Sequence, residues 1–174
     1  TYPVSFGNSY WTKSGATIEG DPSTAGSELI TNGDMELDSD WADYNSVLLN
    51  ERSNEQAHSG TYSRKVTVNG SSQGIQGDVY TSVSGVMYYA SVWVYTTAPQ
   101  QVRIVIREGD DTGWDADNLF TTDGSGWENL KFYHQQVVGG AQSYILLHSG
   151  STTSGTYYYD DISVKPVTGY SAPH

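Results

Sequence analysis

Cysteine is absent from the 174 residues, which excludes a disulfide framework and removes thiolates as nucleophiles or metal ligands. Basic residues are scarce: eight Lys and Arg face twenty Asp and Glu, leaving a net charge of −12. A chain this acidic repels phosphate backbones and anionic bilayers, so neither nucleic acid nor membrane insertion is expected. No apolar run approaches the length of a membrane-spanning helix. Helical periodicity is almost missing too, and there is no phosphate loop, zinc-ligand spacing or Ser or Cys nucleophile motif.

What is present is Gly, Ser, Thr and aromatics, with fourteen Tyr and five Trp. β-branched and aromatic residues fit a pleated, half-buried surface, and the composition is that of a secreted, extracellular all-β protein. Strand-length runs recur between turn residues: "SRKVTV", "YYASVWVY", "QVRIVIR", "NLKFYHQQV", "SYILLHS" and "TYYYDDISV". They predict an antiparallel β-sandwich or barrel, and the length suits one domain. Residues 1–27 read as a connector or edge hairpin, 28–167 as the sandwich, and 168–174 as a tail.

Side-chain alternation assigns faces. Tyr88, Ala90, Val92 and Val94 form a core set, opposite Tyr89, Ser91, Trp93 and Tyr95. Val102, Ile104 and Ile106 are core, with Arg103, Val105 and Arg107 outside; Ile145 and Leu147 alternate with Tyr144, Leu146 and His148. If these strands share one sheet, Trp93, Tyr95, Arg103, Arg107, Tyr144 and His148 line a single aromatic and polar surface. Tyr157, Tyr158 and Tyr159 split between core and surface.

Two acidic clusters need an explanation, since like charges repel. "SELITNGDMELDSDW" turns on Asn32-Gly33 and carries Asp34, Glu36, Asp38 and Asp40. Either it is a solvated turn or something positive sits there. "EGDDTGWDADN" carries Asp110, Asp111, Asp115 and Asp117 without the terminal Glu of an EF-hand, and reads as hairpin-loop chemistry around an unusual Trp114.

"ELITNGDMELDSDW", "NEQAHSGTYSRKVTV", "GVMYYASVWVYTT", "GSGWENLKFYH" and "TYYYDDISVKPV" follow one another as in the carbohydrate-binding modules of families four, nine and twenty-two. The chain resembles that group over about residues 28–166. The resemblance implies a galactose-binding-like jelly roll that binds polysaccharide or cell-surface glycan on the concave face of one sheet. It also implies a structural Ca2+ ion, with carboxylates from Glu36 and Asp160 and backbone carbonyls from Asp34, His58 and Thr61. Calcium takes six to eight such oxygens. Asp161, next along the strand, is expected to point away from Asp160.

A sugar ring is met by a flat aromatic on its C–H face and by polar side chains around its hydroxyl fringe. Trp93, Tyr95 and Trp114 are the stacking candidates, and Gln76, Arg103, Arg107, Tyr144 and His148 the hydrogen-bonding ones. His148 gains from the resemblance, since several family members carry a histidine in the place of "LLHSG". The stretch "SSQGIQGD" lacks the stacking tryptophan that some members have there. Two alternatives stand beside this reading. Tyr133 and His134 in "KFYHQ" offer pieces of a lyase site. The N-terminal stretch has the flavour of bacteriophage appendage proteins, in which the module would decorate a virion and residues 1–27 would dock onto neighbouring proteins.

Overall fold

The structure, a computed structural model, describes residues 26–108, 114–137 and 142–167, with the side chains of residues 108 and 114–116 left aside. No helix occurs among the described residues. The strands are β1 (Trp41–Tyr44), β2 (Leu49–Ser53), β3 (Ser63–Val68), β4 (Gly74–Gly77), β5 (Tyr80–Thr81), β6 (Met87–Thr96), β7 (Gln101–Glu108), β8 (Trp114–Thr121), β9 (Gly126–Gln135), β10 (Gln142–His148) and β11 (Gly155–Pro166). They form two antiparallel sheets. One has the order β1-β4-β10-β7-β8, with β5 also paired to β10; the other runs β2-β3-β11-β6-β9.

The core between the sheets is the alternating set read from sequence. Ala90, Val92, Val94, Val102, Ile104, Ile145 and Leu147 are fully buried, joined by Val66, Ile75, Tyr157 and Tyr159. A fully buried Ile, Leu or Val contributes roughly 1.5–3 kcal/mol relative to exposure, so these rows hold the sheets together. The six predicted runs become β3, β6, β7, β9, β10 and β11. Part of the second acidic stretch, read as a loop, is strand: β8 begins at Trp114 and pairs with β7, and ladder pairing overrides its polar composition. Asp110 and Asp111 lie outside the described residues, as do residues 1–25 and 168–174.

Residues 26–29 run alongside β11, with the Leu29 N–H donating to the Val164 carbonyl at 3.0 Å. The Asn32-Gly33 turn then closes on the same strand, through the Ile162 N–H to the Gly33 carbonyl at 2.8 Å. Only glycine fits there, because a Cβ at Gly33 would lie 2.0 Å from the Ile162 carbonyl oxygen.

Candidate functional site

The aromatic and polar residues expected on one surface occupy two. β6 belongs to the five-stranded sheet, β7 and β10 to the six-stranded one. Trp93 and Tyr95 therefore lie on the opposite side of the sandwich from Arg103, Arg107, Tyr144 and His148. Alternation distinguishes inward from outward and carries no information on which sheet a strand joins.

On the six-stranded sheet, register aligns three rows across the outer face. One runs Ala42, Gln76, Leu146, Val105, Asp117; a second runs Tyr44, Gly74, His148, Arg103, Leu119; a third pairs Tyr144 with Arg107. At about 4.8 Å per strand, five strands span roughly 19 Å. Val105 and Leu146 are fully buried although they face away from the core. Register explains their shelter, since Arg103, Arg107, Tyr144, His148, Gln76 and Asp117 surround them. The result is an aliphatic floor rimmed by polar groups.

Two of those groups are locked. The Arg103 guanidinium forms an ion pair with Asp117, Nε lying 2.6 Å from Oδ1, both side chains being one-third exposed. His148 is fully buried, accepts the Gly150 N–H at Nδ1 over 3.2 Å, and tilts against Tyr44 with ring centroids 5.9 Å apart. Gly74 lies between them in register. Burial, reinforced by the Arg103 charge, pushes His148 down to about 4, and Asp117 opposes the shift; the imidazole is neutral at pH 7. Sequence reasoning missed Tyr44 because β1 is only four residues long, and missed the pairing of Asp117 with Arg103 because Asp117 was read as part of a hairpin loop.

The outer face of the five-stranded sheet holds a different cluster. The His58 ring stacks on Trp93, with centroids 3.7 Å apart and planes at 18°, so one face of that indole is covered. Tyr158, Tyr95 and Trp127 sit side by side in register, each edge-on to its neighbour at 5.8 and 5.6 Å. Tyr133 and His134 point to opposite faces, half-exposed and buried respectively, and form no joint site.

Of the predicted calcium residues, Glu36 and Asp160 meet the loop of residues 58–62, although no group of three or more His, Asp or Glu side chains that could hold a metal ion occurs among the described residues. Glu36 Oε1 accepts the N–H groups of Thr61 and Tyr62 at 2.7 and 3.0 Å, which hold its carboxyl below the usual range. Asp160, fully buried, accepts N–H groups from His58, Ser59 and Asp161. Burial pushes its carboxyl up to about 6 against those donors. Asp160 has no basic ion-pair partner among the described residues. Asp34 is exposed, apart from this network.

Asp161 does not turn away as expected. A β-bulge between Asp160 and Ser163, with Asp161 at φ 44°, interrupts the alternation and returns its carboxylate to the same loop. There it accepts from Ser59 Oγ at 2.8 Å and meets His58 Nδ1 at 2.6 Å. The acidic turn is also met by positive charge, since Arg64 Nη1 reaches Asp38 at 2.7 Å and Arg52 Nη1 donates to the Glu36 carbonyl at 2.6 Å.

Carboxylates on either side of a tight loop, one of them buried without a counter-charge, are the donor chemistry of a hard cation. Glu36 and Asp160 are oxygen donors of the kind calcium takes, and in this structure N–H groups occupy those oxygens.

No protein-family model matches the chain, and no curated protein is similar to it. Solved structures do match. The CBM22-1 xylan-binding domain from Paenibacillus barcinonensis Xyn10C superposes with a TM-score of 0.69 at 18% identity, covering 83% of this chain and 97% of that one. The C-terminal family 22 carbohydrate-binding module of Clostridium thermocellum Xyn10B gives 0.66 at 16%, covering 87% and 99%. TmCBM61, solved in complex with β-1,4-galactotriose, gives 0.60 at 16%, covering 80% and 98%. The fold is thus the antiparallel jelly-roll sandwich of carbohydrate-binding modules. Families 4 and 22, two of the three suggested by the sequence motifs, are among the matches.

Proposed function

We propose that this chain is a non-catalytic, extracellular carbohydrate-binding module that holds a polysaccharide or cell-surface glycan across the outer face of its six-stranded sheet. The observation that carries the reading is the buried floor of Val105 and Leu146 rimmed by Tyr44, Gln76, Arg103, Arg107, Tyr144 and His148. The half-exposed tyrosine rings suit the C–H faces of pyranose rings, while the locked guanidinium and the amide suit hydroxyls. Because strands carry these groups, little conformational entropy is lost on binding. The likeness to modules described as binding xylan and β-1,4-galactotriose supports the class of ligand.

A structural calcium ion is part of the proposal. It would lie at the 58–62 loop, held by the carboxylates of Glu36 and Asp160 with loop carbonyls, and supply the counter-charge that Asp160 lacks.

Affinity electrophoresis against neutral and uronic polysaccharides tests the binding face. Retardation by at least one neutral polymer is expected for the wild type and for Trp93→Ala, with loss for Arg103→Ala and Tyr144→Ala. Loss in Trp93→Ala with retention in Arg103→Ala would move the site to the other sheet and overturn this reading.

A further inference from the structure

All three lysines among the described residues, Lys65, Lys131 and Lys165, stand on the outer face of the five-stranded sheet, away from the face proposed above. In a chain of net charge −12, that placement gathers the described lysines on one side of the sandwich. Two of the three are offset. Lys65 Nζ meets Glu55 at 2.6 Å and lies 5.7 Å from the Tyr158 ring centre, while Lys165 Nζ stands 3.6 Å from Glu28. Lys131 is exposed and has no carboxylate within ion-pair distance among the described residues.

Lys131 is also placed beside aromatic rings. With Tyr89, Phe132 and Tyr133 it lines a depression of about 110 Å³. Tyr89 and Tyr133 are register partners on β6 and β9, with ring centroids 5.0 Å apart and planes tilted by 48°. A depression this small seats one ring of a chain rather than a whole oligomer. Half-exposed tyrosines beside an uncompensated ammonium suit a pyranose that carries its own negative charge: the C–H face packs on the rings and the acid group meets Nζ. A neutral sugar would use the rings alone. A long polyanion would meet the charge of the whole protein, but at physiological ionic strength charges more than about 8 Å away are largely screened, and the local pair dominates.

We propose that Tyr89, Tyr133 and Lys131 form a second site, specific for a uronate residue of an acidic polysaccharide. This site shares no residue with the six-stranded face and stands or falls independently of it.

The test is calorimetric titration at physiological salt with trigalacturonate and, separately, xylohexaose. Lys131→Gln, an exposed change that leaves the fold intact, is expected to weaken trigalacturonate binding about fivefold, the upper range for an exposed charge pair. Tyr133→Ala should weaken it further and Tyr133→Phe should not. Arg103→Ala should leave it unchanged while lowering affinity for any neutral oligomer bound on the other face. The proposal is overturned if trigalacturonate does not bind, if Lys131→Gln binds it as well as wild type, or if Arg103→Ala abolishes it.

Discussion

Titration of His148 ties the chemistry of one residue to the pH range in which the protein is stable. The folded chain holds this imidazole at about 4, whereas an unfolded chain titrates it near 6.5. Between those values the unfolded state binds a proton that the folded state refuses, so this group's contribution to stability falls as pH drops from about 6.5 to 4. A shift of this size corresponds to about 3 kcal/mol at the acid end. Asp160 works in the opposite sense, since its carboxyl is raised to about 6 by burial and takes its proton in the folded state first. His148→Gln isolates the histidine: comparing urea midpoints of wild type and variant from pH 7.5 to 4.5, the wild type is expected to lose ground to the variant as pH falls. Parallel curves would show that the imidazole is not held neutral. At this scale the sequence was legible in part. Alternation placed Trp93 outward, but that His58, from a distant loop, would cover its ring was not visible in any local pattern.

Among the elements, the strands legible in sequence are those long enough to show alternation, and the missed ones are short or polar. β4, "GIQG", offers one apolar residue to read, and its existence depends on pairing with β10. Gly74 is the tightest point of that pairing, because a Cβ there would lie 1.9 Å from the Leu147 carbonyl oxygen and 2.6 Å from the His148 Cα. No side-chain rotation relieves a clash with backbone, so the ladder itself must shift. In Gly74→Ala the β4–β10 pairing is expected to break, with a loss of at least ~2 kcal/mol. β1, which joins the sheet only through β4, should detach with it. Hydrogen exchange checks this directly: amides of β1 and β4 should lose protection while those of β7 and β6 keep theirs. Uniform protection would mean that the sheet accommodates the methyl group. The misassigned face of Trp93 has its cause at this scale too, since strand order is set by long-range pairing that local patterns do not encode. The bulge at Asp161 is a second case: the two adjacent aspartates predict opposite directions, and one left-handed residue sends both to the same loop.

For the whole molecule, the proposed calcium ion would couple the acidic turn, the 58–62 loop and the last strand. Without an ion, the acidic turn is balanced by Arg52, Arg64 and backbone N–H groups, and Asp160 remains a buried charge opposed only by dipoles. An ion that binds only the folded chain raises stability by about 2.7 kcal/mol at a hundredfold excess over its Kd. For a chain of this size that is roughly 5–10 °C in melting temperature. The expected result is a rise of that order on adding calcium to chelator-treated protein, with no comparable effect of an equal ionic strength of sodium chloride. Sodium chloride is the necessary control, because screening alone relieves self-repulsion in a protein of net charge −12. Glu36→Gln and Asp160→Asn each remove one negative charge while keeping an acceptor oxygen for the N–H donors. Both should melt at a temperature independent of calcium. A wild-type melting temperature unmoved by calcium and by chelator would mean that the N–H groups of residues 58–62 and 161 close the loop by themselves, and that no ion belongs there.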